Sequence, residues 1–267
     1  DFFNPRDQEG FLRSMMIRNS NRGEFMVLIQ FFKENKAQRE PLLEHLKKNF
    51  DITSLLYCIN SKANDTLYDQ EILCYDGKTY IMHEMEGLNF KINAKSFFQT
   101  NTEQAYELYK IARDLAGLIG DELVYDLYTG TGTIAQFVAK DCRKVVGVES
   151  VPEAIEAARS NARENCIKNV FFEVGDMRKV FNQDFINRHG KADVVITDPP
   201  RNGMHPAVIK QLLFLQPKRI VYVSCNHATQ ARDLYLMKEQ YRLVCSRAID
   251  MFPQTQHVEN VVLLEKI

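Results

Sequence analysis

From about residue 100 onward, short apolar runs alternate with amphipathic stretches in a fixed order. The 3.6-residue period predicts helices over Thr102–Leu118, Ile134–Ala139, Pro152–Asn165, a stretch near Arg178–Asn187, Pro206–Leu215 and Ala228–Glu239. Apolar β-rich runs between them predict strands at Leu123–Leu127, Lys144–Val148, Val170–Val174, Ala192–Thr197 and Arg219–Ser224. Two more follow at Leu243–Ile249 and Val258–Glu265. Strand and helix alternating at this spacing demand a parallel sheet with helices on both faces. The last two strands have no helix between them, so they should pair antiparallel at one edge.

Residues 1–95 have a different texture. Phe11–Arg18 and Phe25–Phe32 are strand-like runs flanking the turn residues Asn19 to Gly23, which predicts a hairpin. Leu42, Leu43 and Leu46 place a helix over Pro41–Asn49. Short strands are expected at Ile52–Ile59, Glu71–Tyr75, Thr79–His83 and Leu88–Ile92, with Asp76-Gly77 read as a hairpin turn. The expected organisation is therefore a small α+β domain over 1–92 and an α/β domain over 93–267. Five parallel strands closed by an antiparallel hairpin make a seven-stranded, Rossmann-like sheet, the arrangement of a class I methyltransferase, although fold alone does not give function.

Composition changes this picture little. Of 267 residues 45% are hydrophobic and 26% charged, which fits a soluble globular chain and excludes disordered and fibrous classes. No apolar run approaches a bilayer span. The N-terminus, Asp1 to Pro5, lacks a basic and an apolar region, so it does not read as a signal peptide, and a segment upstream is expected to be missing. Net charge is −1, and both parts are balanced: 13 Lys/Arg against 14 Asp/Glu in residues 1–100, 21 against 21 beyond. Any polyanion must meet a local patch or a further domain. The six cysteines form no C-x-x-C pair, so zinc-ribbon and thioredoxin-like chemistry has no support and no metal site is expected. Disulfides are not expected, and most of the thiols read as small core residues.

Candidate chemistry gathers where strands end. Asp126 to Thr133 spans the first strand-to-helix turn, and Gly130 and Gly132 allow backbone to approach a ligand. The lysine of a phosphate loop is absent, and a G-x-G pair alone is weak. Glu149 ends the second strand 17 residues after Gly132, where an acidic side chain accepts from both hydroxyls of an adenosine ribose. Asp176, after the third strand, would meet the adenine edge. Both carboxylates have an ordinary alternative as helix N-caps. Asp198-Pro199-Pro200-Arg201 follows the fourth strand, a motif of methyltransferases that act on planar bases. Cys225, in Ser224-Cys225-Asn226, follows the fifth strand and precedes a helix whose dipole favours thiolate. A thiolate suits pyrimidine C5 chemistry: adding to C6, it makes C5 nucleophilic. Glu259, in the terminal hairpin, can then take the C5 proton.

With these residues in place the sequence resembles the S-adenosylmethionine-dependent RNA uracil-5 methyltransferases over roughly residues 85–267. The carrying motifs are Ser96 to Asn101, Asp126 to Gly132, Asp198 to Gly203, Ser224-Cys225-Asn226 with Thr229 and Ala231-Arg232-Asp233, and His257-Val258-Glu259. The resemblance implies that Gln99, Tyr128, Glu149 and Asp198 contact the methyl donor. Gly130, Thr133 and Asp176 are weaker carry-overs. It implies Cys225 as nucleophile and Glu259 as proton acceptor. Phe97 and Phe98 are expected to pack around the site, and Arg201 and Arg232 to meet RNA phosphate or form structural ion pairs.

The implied activity is methylation of a uridine C5 in structured RNA, 23S rRNA before tRNA, by a cytoplasmic monomer. Cytosine C5 and amino-group methylation are the alternatives. His227 stands where the family often has proline, and Thr129 where it often has cysteine. The RNA-binding barrel of many members and the iron–sulfur cysteines of some are not recognisable here. Residues 1–90 resemble the family's central domain.

Overall fold

The computed structural model describes residues 1–267. They divide into two compact units, Asp1–Ser96 and Phe97–Ile267. The first unit carries β1 (Leu12–Asn19), β2 (Phe25–Phe31), α1 (Lys36–Asn49), β3 (Ser54–Ile59) and β4 (Leu73–Gly77), with strand order β1-β2-β3-β4. β1 and β2 form the expected antiparallel hairpin. β2 and β3 run parallel because α1 carries the chain across. The core is Phe11, Val27, Ile29, Phe31, Leu43 and Leu55. A separate hairpin pairs β5 (Tyr80–Met85) with β6 (Leu88–Asn93).

Three expectations are corrected here. α1 begins at Lys36, not Pro41, because Asn35 accepts from the Gln38 amide at 3.2 Å and caps a polar first turn that apolar periodicity cannot register. Asp76-Gly77 does not join a hairpin: Asp76 pairs with Leu55 and Gly77 with Ser54, so β4 belongs to the four-stranded sheet and β5 to the other. Gly77 has φ +76°, and a Cβ there would lie 2.3 Å from the Thr53 carbonyl oxygen, so the glycine serves close packing. The tight turn is Glu86-Gly87, both with positive φ, joining β5 to β6. Core cysteines are fewer than expected. Cys58 and Cys142 are buried, Cys74 and Cys166 are exposed, and Cys225 and Cys245 are intermediate.

The second unit opens with α2 (Thr102–Ala116), capped by Asn101 and ended by Gly117 in the left-handed region. Then come β7 (Leu123–Leu127), α3 (Thr133–Val138), β8 (Lys144–Glu149), α4 (Pro152–Glu164) and β9 (Val170–Val174). The helix expected near Arg178–Asn187 is two: α5 (Met177–Val180) and α6 (Gln183–His189). Asn182 interrupts them and caps the second, accepting from the Phe185 amide at 3.1 Å. β10 (Val194–Thr197), α7 (Pro206–Leu215), β11 (Arg219–Ser224), α8 (His227–Met237), β12 (Tyr241–Ile249) and β13 (Glu259–Lys266) complete it.

The seven-stranded order is β12-β13-β11-β10-β7-β8-β9. β7 to β11 are parallel, and β13 inserts antiparallel between β11 and β12. Strands covered on both faces read as continuous apolar runs, as Val194, Val195 and Ile196 do. The chain order reverses between β7 and β10, and ligands of such sheets bind outside the carboxyl ends of the strands there. No helix is long and apolar enough to cross a membrane.

Candidate active site at the carboxyl ends of the parallel strands

Strand register assembles the site. Leu127 pairs with Val148 on one side and Thr197 on the other, so the next residues, Tyr128, Glu149 and Asp198, emerge side by side. Ser224 pairs antiparallel with Asn260, so Cys225 leaves β11 beside Glu259, which enters β13. Residues 34 apart in sequence thus meet without either needing a long reach.

The turn after β7 is shaped by backbone. Tyr128, Gly130 and Gly132 all have positive φ. A Cβ on Gly132 would come within 2.7 Å of the Phe172 ring and 2.9 Å of the Ala158 methyl, so this glycine allows turn and helix to pack. A Cβ on Gly130 would meet nothing within 4 Å, so open space lies beside the backbone there. Asp126 is buried behind the turn and accepts from the Ala135 amide at 3.0 Å and from the Thr129 hydroxyl. Burial lifts its carboxyl to about 7, against those two hydrogen bonds. Thr133 points inward: its hydroxyl is buried, 3.3 Å from that of Thr131.

Glu149 is not the cap of α4, whose N-cap is Val151. One of its oxygens accepts from the Ser150 amide (2.6 Å), the Ser150 hydroxyl (2.9 Å) and the Val151 amide (3.1 Å); the other accepts from the Gly130 amide (3.2 Å). The carboxylate is fixed at the lip of the open space beside Gly130. Asp176 does cap α5, accepting from the Arg178 amide at 3.0 Å, and it pairs with the Arg178 guanidinium. That pairing holds its carboxyl down at about 2. Tyr128 lies among Asp233, Asp176 and Glu149, and burial raises its hydroxyl to about 12. Gln99 is half-buried in the segment before α2, beside a largely exposed Phe97.

The other half of the site is held by side chains. Asp198 follows β10, and burial raises its carboxyl to about 8, with the Glu259 and Asp126 carboxylates pushing the same way. The loop after it is pinned to α8. The Arg201 carbonyl accepts from the Asn226 amide group at 3.0 Å and the Thr229 hydroxyl at 3.1 Å. Asp233, fully buried, accepts from the Met204 amide (2.7 Å), the Tyr222 hydroxyl (2.8 Å) and Arg232. Arg232 also donates to the Asn202 carbonyl at 2.9 Å, so it serves as a structural ion pair. A Cβ on Gly203 would lie 2.6 Å from Asp233 Oδ2, which explains the glycine.

Cys225 sits between β11 and Asn226, which caps α8. Burial and the Glu259 carboxylate raise its thiol; the Arg201 guanidinium lowers it, and Asp198 raises it slightly. Burial also raises the Glu259 carboxyl, and Arg201 opposes that. The buried thiols of Cys58 and Cys142 stand higher, at about 11 and about 12, with no such convergence around them. His227 is an exposed first residue of α8. The roles of Asp233 as the anchor of the Asp198 loop and of His257 as the partner of Arg201 escape a sequence reading. Both lie inside motifs, and only contacts in space separate them from their neighbours.

A seven-stranded sheet of this order, with an acidic residue closing its second strand and Asp-Pro-Pro following its fourth, is a class I methyltransferase fold. The family model described as tRNA (Uracil-5-)-methyltransferase matches residues 78–267, and the chain belongs to that family. It is 61% identical over 266 residues to an uncharacterized RNA methyltransferase of Porphyromonas gingivalis, covering 98% of this chain and 57% of that protein. It is 56% identical to another of Bacteroides thetaiotaomicron, covering 99% of this chain and 59% of that protein. The chain thus spans somewhat over half the length of these curated relatives. Among solved structures it resembles the Pyrococcus abyssi tRNA (uracil-54, C5)-methyltransferase in complex with S-adenosyl-L-homocysteine. The TM-score is 0.83 at 36% identity, over 98% of this chain and 62% of that one.

Proposed function

We propose that this chain carries the catalytic part of an RNA uracil-5 methyltransferase that uses S-adenosylmethionine. The observation that supports the reading most is the antiparallel pairing of Ser224 with Asn260, from which Cys225 and Glu259 are neighbouring positions at the carboxyl end of β11. The donor half fits the methyl donor. Open space flanks Gly130, and Glu149 is fixed at its edge with an oxygen whose protein donor is one amide. Gln99, Tyr128 and Asp198 complete the donor's surroundings, with Gly130 and Thr133 shaping the turn and Asp176 at the adenine end. The bound donor supplies an electrophilic sulfonium methyl. The thiolate of Cys225 adds to C6 of the uracil, and the π pair displaced from C5=C6 makes C5 the nucleophile that takes the methyl, as the methyl–sulfur bond breaks and its electron pair leaves with the donor's sulfur as a neutral thioether. The Glu259 carboxylate then removes the C5 proton. The electrons of that C–H bond re-form C5–C6 and expel the thiolate.

The substrate is structured RNA, with the target base flipped into the site. We read 23S rRNA as the first candidate. Similarity to a tRNA uracil-54 enzyme favours tRNA as the second. Residues 1–92 are taken as the RNA-facing part. The test uses 23S rRNA fragments and tRNA transcribed with 5-fluorouridine, whose fluorine cannot leave as a proton. With donor present, a denaturation-stable adduct should form on the parent chain and not on Cys225→Ala, and the competent RNA names the substrate. If neither RNA is trapped, even by a protein extended to the length of its relatives, uridine is not the substrate.

A further inference from the structure

Arg201 stands at the junction of the two catalytic loops. Its backbone carbonyl is held by Asn226 and Thr229, the residues that follow Cys225. Its guanidinium donates to His257 Nδ1 at 2.9 Å, two residues before Glu259. Arginine has only donors, so an imidazole nitrogen must accept; Nδ1 is the nearer, and Nε2 lies 3.5 Å from the same guanidinium nitrogen. His257 is itself fixed from its backbone, since its amide donates to the Thr255 hydroxyl at 3.1 Å. The carbonyl tie sets where the arginine starts, and the imidazole sets where its head ends.

We propose that His257 is a positioning residue, which holds the Arg201 guanidinium against the sulfur of Cys225 and beside the carboxylate of Glu259. This rests on the reading of Cys225 as the nucleophile. An arginine on a flexible stem has many rotamers, and most would place its charge in water. With its head tethered, the charge stays at the sulfur. The groups facing Cys225 are Arg201, Glu259 and Asp198. Two are acidic and disfavour thiolate, and Arg201 is the cation among them that favours it. The same guanidinium opposes the upward push of burial on Glu259. One tethered cation therefore serves both the thiolate that must form and the carboxylate that must stay charged.

The test needs neither RNA nor donor. Iodoacetamide labelling of the whole chain is followed from pH 6 to 10, and modification of Cys225 is read peptide by peptide by mass spectrometry. In Arg201→Gln the midpoint of the Cys225 profile should rise by about one pH unit, a tenfold fall in thiolate fraction below the midpoint. In His257→Ala it should rise by about half a unit through loss of the tether alone. His257→Asn, which restores an acceptor near the Nδ1 position, should return it. Buried Cys58 and Cys142 report folding, since their labelling would mark an unfolded variant, and Arg201→Lys is then the second arginine probe. If His257→Ala leaves the profile unmoved while Arg201→Gln shifts it, the tether is unnecessary. If neither shifts it, Arg201 does not serve the sulfur. A profile that moves as expected in a protein that traps no 5-fluorouridine would sink the uridine reading and leave the positioning intact.

Discussion

The two halves of the site hold their carboxylates in opposite ways. On the donor half, Glu149 accepts four hydrogen bonds and Asp176 is paired with Arg178, so both acids are held in place before any ligand arrives. On the acceptor half, Glu259 and the Cys225 thiol are raised by burial, and so is Asp198, the donor-side carboxyl that stands nearest them. Donor binding needs fixed acceptors, which rigid backbone supplies. Proton and electron-pair transfer need groups poised near their own ionisation, and desolvation supplies that at a cost in stability.

The largest effect should come from the acceptor half. Cys225→Ala should abolish methylation, a loss of more than about a thousandfold, while donor affinity measured by calorimetry stays within about twofold. Glu259→Gln should retain addition but not elimination, so an adduct accumulates even with ordinary uridine. If Cys225→Ala weakened the donor as strongly as it weakened methylation, the division into halves would be wrong.

Next comes the anchor between them. Asp233→Ala removes a buried acceptor that serves an amide, a phenol and a guanidinium. It should cost about 3–5 kcal/mol of folding stability in urea denaturation. Glu149→Ala should weaken donor binding about tenfold or more by isothermal titration, because it frees the Gly130 amide and loses the ribose acceptor. Its Cys225 alkylation profile should be that of the parent. A shift there would couple the halves.

The smallest effect has the opposite sign. Burial raises Asp198 to about 8 from an ordinary 3.8, so between those values the native state holds a proton that the unfolded chain has released. Stability contributed by this site is then lost as pH rises through that window. Asp198→Asn should therefore be more stable than the parent near pH 8, by about 1 kcal/mol or more, and no different below pH 4. It should be poorly active. Thermal melts across that range check the sign, and equal curves would mean that Asp198 is not buried as a charge.

Much of this was legible along the chain. The alternation of periods fixes five parallel strands and a terminal antiparallel pair, because side-chain periodicity is local. The turn after β7, Glu149, Asp198 and Cys225 could be picked out because ligands gather at strand ends, and strand ends can be read from apolar runs. Asp76-Gly77 shows the limit. A turn dipeptide reports that the backbone reverses, not which strand accepts its hydrogen bonds, and here β4 paired with β3. The first turn of α1 and the break at Asn182 were set by polar caps that hydrophobic periodicity does not register.

The sequence by itself determined the inventory: which residues could act, and on which strand each would stand. Only tertiary structure decided who meets whom. The antiparallel insertion of β13 brought Glu259 to Cys225, because pairing register is set by the whole sheet and not by either strand. Which of Arg201 and Arg232 would be structural and which would face the sulfur also waited on folding. Arg232 found a buried aspartate, and Arg201 found His257, 56 residues away. Long side chains take their roles from whatever partner the fold sets within reach, and no local pattern records that.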